Sequence, residues 1–266
     1  MYTDGTGMRF LRALVVVATT AAACISVPCR AEGPAHSLYF PPPQVETLAP
    51  RQLSWDTSAS VYSSYMFRGL DLYDGLSLQP SAQPHIQLGE NGMLNGIVWA
   101  QVPLSQHDGE KEYVELDAGF SYDHTFSRAT FTVGNYWYTY PGGDGPLPSR
   151  TEAWAAVALD TMLAPTFTAF WEYERYNMQY YDINVSHTFE QSGSHAFNVT
   201  FFMDLGFTSN GEPLYANDGL VQITSGASTD IKLDGVVMSP VVSYTASEDA
   251  NTVNKVWGGL NVSYSF

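Results

Sequence analysis

The sequence predicts an all-β protein, an antiparallel transmembrane β-barrel of about 12 strands that follows a cleaved signal peptide. Apolar and polar residues alternate with period two in one segment after another. Short and long connections alternate between these segments, and Tyr, Trp and Phe flank the apolar faces. Bacterial outer-membrane barrels combine an even number of such strands with short periplasmic turns, longer outer loops and aromatic girdles.

The first segment has the three parts of a secretory signal peptide. Arg9 and Arg12 precede an apolar run from Ala13 to Ile25, and small residues favour cleavage after Ala31. The run is too short to cross a membrane as a helix. Lipoprotein processing at Cys24 is the alternative, but "TAAAC" lacks the leucine that usually stands three residues before the cysteine.

The chain is thus expected to have three parts. We assign residues 1–31 to the signal peptide, residues 32–52 to a Pro-rich periplasmic linker and residues 53–266 to an outer-membrane barrel. Cleavage would remove both cysteines, Cys24 and Cys29, so that the exported chain could form no disulfide. The net charge of −16 argues against nucleic-acid binding, which needs clustered Lys and Arg.

The alternating segments number twelve. They begin near residues 57, 76, 94, 113, 129, 150, 166, 179, 195, 219, 236 and 255. In the last one, Val256, Leu260, Val262 and Tyr264 share one face, and the chain ends on the same face with Phe266. A soluble β-sandwich would also alternate, but the flanking aromatics favour the barrel, and a terminal aromatic such as Phe266 is what outer-membrane proteins typically present to the barrel-assembly machinery.

A resemblance to a known family starts with "YMFRGLDLYDGLSLQPSAQPHIQLG". Tyr65, Phe67, Arg68 and Gly69 match the aromatic-x-aromatic-Arg-Gly opening of the TorF-like (Gcw_chp) family of proposed outer-membrane porins, and Gln79 falls in the next strand, as in that family. "ELDAGFSYDHTFSRATFTVGNYWYTYPGG" is similar to the family's middle region, whereas "DLYDG" departs from its usual Ser/Gln-rich loop. The resemblance implies a barrel of the outer membrane.

Side-chain parity suggests which charges line the lumen. It places Arg68 at the outer end of the lumen and turns Tyr65 and Phe67 towards lipid. The same parity turns six carboxylates inward, namely Glu115, Asp117, Glu172, Glu174, Asp182 and Asp204. Because the seventh of twelve strands lies about opposite the first, we expect Arg68 to face Glu172 and Glu174 across the lumen.

These charges favour a channel for passive diffusion of small solutes, with cation preference set by a field at a constriction. In the alternative interpretation, Arg68 only neutralises neighbouring carboxylates and fixes the wall. We expect outer-membrane lipid, lipopolysaccharide and small solutes as partners, and no cofactor, metal or nucleic acid.

A second function is a non-conducting structural or surface-binding barrel with a plugged lumen. Its acidic loops could hold divalent ions or lipopolysaccharide, through Asp108, Glu110, Glu112, Asp144, Glu248 and Asp249. No stretch has the spacing of a calcium loop, so solvated loops are the favoured interpretation of these carboxylates.

An outer-membrane acyl hydrolase is a minor alternative. Its candidates are His124 with Ser127, and Ser186 with His187 and Glu190. Both groups fall next to expected periplasmic turns, far from outer-leaflet lipid. His124 and Ser127 are three residues apart and therefore point to opposite faces of a strand. We therefore expect no enzymatic activity.

Overall fold

The computed structural model describes residues 53–105, 113–141, 145–191, 197–212, 214–233, 235–247 and 249–266. The signal peptide and linker expected within residues 1–52 lie outside the described residues. Among the residues that are described, no helix is long and apolar enough to cross a bilayer.

The described residues form fourteen β-strands. In chain order these are β1 (Leu53–Tyr62), β2 (Tyr65–Phe67), β3 (Leu70–Tyr73), β4 (Ser77–Leu88), β5 (Gly92–Pro103), β6 (Glu115–Phe126), β7 (Ala129–Thr139), β8 (Arg150–Leu159), β9 (Thr166–Glu172), β10 (Gln179–Gln191), β11 (Phe197–Ser209), β12 (Gly219–Leu233), β13 (Val236–Ala246) and β14 (Lys255–Ser265). All except β2 and β3 form one closed antiparallel barrel. The predicted fold class and its twelve strands are confirmed.

Neighbouring barrel strands follow one another in the chain, and β14 closes the barrel against β1. Residues 127–128 connect β6 to β7 at one end, and residues 89–91 connect β4 to β5 at the same end. The connection between β9 and β10 at the opposite end is longer, at residues 173–178. By the rule for outer-membrane barrels, the end with long connections faces outward.

The outward faces of the strands carry large apolar side chains that are exposed. Such a continuous apolar surface is unfavourable in water and suits contact with lipid. Exposed aromatics near the outer strand ends include Trp137, Trp171, Tyr173 and Tyr181, and those near the inner ends include Phe126, Phe131, Tyr264 and Phe266. The two aromatic bands have the arrangement of the interfacial girdles of a membrane barrel.

Between β1 and β4 the chain folds into the lumen as a hairpin made of β2 and β3. Phe67 pairs with Leu70, which leaves Arg68 and Gly69 as a two-residue turn at the hairpin tip. Both turn residues have positive φ, 51° for Arg68 and 83° for Gly69. Positive φ at both central positions is the requirement of a type I′ turn, which glycine meets freely and arginine only with strain.

The hairpin corrects the predicted lipid contact of two aromatic residues. Tyr65 and Phe67 are only 5% and 4% exposed and pack inside the barrel. The ladders of β1 with its neighbours β14 and β4 both end at Tyr62. Parity along β1 therefore no longer determines which way the following side chains point.

We predict that Gly69→Ala destabilises the barrel more than Gly89→Ala. Both glycines have positive φ, which costs an alanine about 1–2 kcal/mol. A Cβ on Gly69 would also lie 3.2 Å from the carbonyl oxygen of Val221, whereas a Cβ on Gly89 meets nothing within 4 Å. Urea unfolding in lipid vesicles measures both free energies, and equal losses would contradict tight packing of the hairpin tip.

Candidate functional site

The hairpin tip carries a buried ion pair to the barrel wall. Nη1 and Nη2 of Arg68 donate to the two carboxylate oxygens of Glu152 on β8, at 2.7 and 2.8 Å. Tyr138 on β7 donates its hydroxyl to the same carboxylate at 2.7 Å. This bidentate geometry is the strongest arrangement that a guanidinium forms with a carboxylate.

Three aromatic rings surround the same guanidinium. Its Cζ lies 4.1 Å from the ring centroid of Phe170, 4.6 Å from that of Tyr180 and 4.7 Å from that of Phe67. Phe170 and Tyr180 are paired neighbours on β9 and β10, whereas Phe67 belongs to the hairpin. Ring faces within about 6 Å attract a cation, most strongly where water is excluded.

Outer loops hold the back of the hairpin. Tyr215 donates its hydroxyl to the carbonyl oxygen of Arg68 at 3.0 Å, and the amide of Val253 donates to that of Gly69 at 3.3 Å. Burial raises the pKa of Tyr215, so its phenol stays protonated and remains a donor. Tyr113 donates to the carbonyl oxygen of Leu72 at 3.0 Å.

A second ion pair holds the hairpin at the outer rim. Lys255, the first residue of β14, donates to Asp71 of β3 at 2.6 Å and also contacts Asp74. Ser64 donates to the same Asp71 at 2.7 Å. The hairpin is therefore fixed to the barrel at its tip and at its base.

The outer half of the lumen is closed. At this level each barrel strand contributes an inward residue that is 6% exposed or less, namely Tyr62, Ser77, Gln101, Glu115, Tyr138, Glu152, Glu172, Tyr180, Thr208, Gln222, Thr245 and Trp257. A water-filled path past the hairpin would leave some of these residues exposed. In this conformation the ring of buried residues and the hairpin together block passage.

The periplasmic half of the lumen is polar. Gln83 and Asn261 point inward there and are half-buried, whereas His85 and Asn95 are buried. The periplasmic half of the barrel interior is therefore a polar cup, and the outer half is closed.

A polar network links four strands within this cup. His85 on β4 contacts Asn95 on β5 at 2.7 Å and Asp56 on β1 at 3.1 Å. Asn95 in turn donates to Asp123 on β6 at 2.9 Å. Sequence analysis did not single out these four residues, although "QPHIQ" and "YDH" carry two of them, His85 and Asp123, on the inward-facing positions of their strands.

Five of the six predicted lumen carboxylates, all except Glu174, lie on inward faces of the wall. Glu115, Asp117, Asp182 and Asp204 lie on inward faces and are buried in the outer half. Glu115 accepts a hydrogen bond from Tyr140 at 3.0 Å. None of these four carboxylates pairs with Arg68, because the ion-pair partner of Arg68 is Glu152.

The predicted opposition of Arg68 to Glu172 and Glu174 is wrong. Glu172 is buried, but its carboxylate accepts the backbone amides of Glu174, Arg175 and Tyr176 and so closes the loop after β9. Glu174 is exposed because β9 ends at Glu172, and its carboxylate accepts a hydrogen bond from Thr151 at 2.8 Å.

Sequence reasoning missed Glu152 and Arg150. Both lie on the inward face of β8 and are buried, and the Cζ of Arg150 lies 4.3 Å from the ring centroid of Tyr138. The alternation of Arg150, Glu152 and Trp154 in "RTEAWAAVAL" is a signal for an inward face. Apolar residues on both faces of this strand obscured it.

The loop carboxylates of the surface-binding alternative are mostly outside the described residues. This holds for Asp108, Glu110, Glu112, Asp144 and Glu248. Asp249 is described, and its carboxylate accepts the backbone amides of Ala216, Asn217 and Asn251, so it joins two outer loops. In the described part of the chain, no group of three or more His, Cys, Asp and Glu side chains is arranged to hold a metal ion.

The hydrolase candidates do not form a catalytic pair. His124 contacts the hydroxyl of Tyr122 at 3.3 Å on the outward face, and Ser127 lies in the turn after β6. Along β10, His187 and Ser186 are adjacent and point to opposite faces, and His187 contacts the carbonyl oxygen of Met162 at 2.8 Å. Glu190 is exposed at the inner end of β10.

The closed barrel, its apolar outer band and its polar interior define a β-barrel of the bacterial outer membrane. A family model described as "Bacterial protein of unknown function (Gcw_chp)" matches residues 46–211. The chain belongs to this family, which confirms the resemblance seen in the sequence. No curated protein sequence matches the chain.

Solved structures resemble the fold at low sequence identity. LpxR from Salmonella typhimurium matches with a TM-score of 0.54 and 9% identity, over 79% of this chain and 99% of that one. The KdgM porin matches with a TM-score of 0.48 and 12% identity, over 80% and 99%. The translocator domain of autotransporter NalP from Neisseria meningitidis matches with a TM-score of 0.44 and 11% identity, over 83% and 90%. At such identities a likeness shows the fold alone.

We predict that Glu152→Gln destabilises the barrel by about 3–5 kcal/mol, because Arg68 is left as an uncompensated buried charge. Glu174→Gln is the matched control, since this exposed side chain can still accept from Thr151; we expect a change within about 0.5 kcal/mol. Urea unfolding in lipid vesicles gives both values. If both substitutions lower the free energy of unfolding equally, the buried ion pair contributes no more to stability than the exposed hydrogen bond does.

Proposed function

We propose that the protein is an outer-membrane channel for small cations and dipolar solutes, held closed by its own β2–β3 hairpin. The observation that carries the proposal is a separate hairpin, outside the barrel ladder, seated in a lumen with a polar and acidic wall. An open passive channel, as expected from the sequence, needs a continuous aqueous path, and the ring of buried residues argues against one in this conformation.

The polarity of the wall favours a channel over a permanent plug. Both side-chain amide atoms of Gln101 are buried without a hydrogen-bond partner among the described residues, as are Nε and Nη2 of Arg150. An unsatisfied buried polar group costs about 1–3 kcal/mol. A wall that never meets water would be more stable with apolar residues, whereas an open state would hydrate these groups.

The charge balance of the wall supports cation preference. Six carboxylates line the outer half of the wall, those of Glu115, Asp117, Glu152, Glu172, Asp182 and Asp204. When the hairpin leaves, Arg68 leaves with it, and Arg150 and Lys255 remain as cations of the wall, so the carboxylates still outnumber the cations. Acidic rings of this kind favour cations in channels.

The closed state is expected to dominate. The hairpin buries Tyr65, Phe67, Leu70 and Tyr73. Each such side chain contributes about 1.5–3 kcal/mol on burial, so spontaneous opening is rare. We infer that opening requires an external factor that disfavours the seated hairpin.

A hydrolase is the less supported candidate. LpxR is a hydrolase, but its likeness to this chain extends to the fold alone. Catalysis of this kind needs a nucleophile in contact with its base. Ser127 lies in the turn beyond the strand that carries His124, and Ser186 and His187 point to opposite faces of β10, so neither pair meets this need.

We predict that a barrel without the hairpin conducts ions. Because Tyr62 pairs with Ser77, a short Gly-Ser linker can replace residues 63–76 without disturbing the ladder. Planar-bilayer recordings are expected to show stable, cation-preferring conductance for this variant and long closed periods for the wild type. Adding Asp182→Asn and Asp204→Asn to the variant is expected to lower the cation preference.

The outcomes separate the candidate functions. Stable conductance of the wild type would contradict the closed resting state. If neither the wild type nor the variant without the hairpin conducts, although circular dichroism shows that both are folded, the channel is contradicted and the structural barrel is favoured.

A further inference from the structure

We propose that the barrel wall carries a binding site for a guanidinium group, which Arg68 fills from within the same chain. The wall residues of this site are Glu152, Tyr138, Phe170 and Tyr180 on β7 to β10. The inference needs the barrel and its hairpin, but it does not depend on ion conduction.

The carboxylate of the site is held in place without the hairpin. Tyr138 on the neighbouring strand donates to Oε2 of Glu152, and the backbone of Glu152 is paired with Tyr136 on one side and Glu172 on the other. Glu152 is fully buried while the hairpin is seated. A buried carboxylate without a cation is strongly unfavourable, so loss of the Arg68 side chain from a seated hairpin leaves a site that favours a positive group.

The rings of the site are likewise part of the wall. Phe170 and Tyr180 lie opposite each other in the β9–β10 register, with ring centroids 6.2 Å apart. The Cζ of Arg68 lies within 4.6 Å of both centroids. The hairpin adds the third ring, that of Phe67.

This geometry selects guanidinium over ammonium. Two parallel hydrogen bonds to one carboxylate require a planar fork, which an ammonium ion does not have. A guanidinium is also less strongly hydrated than an ammonium and stacks on aromatic faces. The ligand class is therefore a compound with a free guanidinium group, from the guanidinium ion to an arginine side chain.

Arg68 acts in this account as a tethered ligand of the wall. A soluble guanidinium compound would compete with it poorly while the hairpin is attached, since the tether keeps the effective concentration of Arg68 high. Removal of the Arg68 side chain should make the site available. Arg68→Gly is the suitable variant, because glycine fits the positive φ of 51° at this position.

The test is chemical rescue of purified Arg68→Gly in lipid vesicles. Guanidinium chloride is added far below denaturing concentrations, with ammonium chloride at equal ionic strength as the comparison. When free guanidinium is ten times its dissociation constant, we expect the unfolding equilibrium constant to fall by about tenfold. Ammonium should change it far less, and the wild type should not be stabilised by either salt.

Arg68→Gly combined with Glu152→Gln is the matched control. It lacks the carboxylate, and we expect guanidinium to leave its stability unchanged. Equal stabilisation by guanidinium and ammonium, or an equal effect on the double variant, would overturn the proposal.

If Arg68→Gly does not fold alone, the yield of refolded barrel becomes the readout. Recovery of folding by guanidinium, and not by ammonium, would support the site. Failure of recovery with guanidinium, while the double variant folds, would overturn it.

Discussion

The buried ion pair between Arg68 and Glu152 is the interaction on which the arrangement of the lumen depends. Glu152 is fully buried on the wall of a membrane barrel, where a lone carboxylate would be strongly destabilising. The chain meets this requirement by inserting its own arginine at the tip of the β2–β3 hairpin. Arg68 has positive φ in this turn, and from there its fork reaches both oxygens of Glu152.

The hairpin divides the lumen into two halves. The outer half is a packed interior of aromatic rings and charged side chains, bounded by the loops of Tyr215 and Asp249. The periplasmic half is the polar cup with the network around His85. A plug that is built from a charged tip and an apolar body can be stable when seated and yet leave behind a polar wall, which is the property required of a gate.

Much of the fold was predictable because period two is a strong signal over long strands. The hairpin was not, since alternation continues through "YMFRGLDLY" whether the chain runs on in β1 or turns back. Parity failed at Glu174 for a related reason, because β9 ends two residues earlier. The inward position of Glu152 was obscured by apolar residues on both faces of β8. Its pairing with Arg68 could not be predicted from local sequence, because the two residues are 84 positions apart.

Seating of the hairpin in the lumen is the central claim, and cysteine accessibility tests it most directly. A single cysteine is placed at Leu70, which is buried in β3, or at Leu76, which is exposed at the outer rim. Intact cells are treated with a membrane-impermeant maleimide, and peptide mass spectrometry locates the label. The account predicts rapid labelling at position 76, and labelling at position 70 only after unfolding. Rapid labelling at both positions in the folded protein would contradict it.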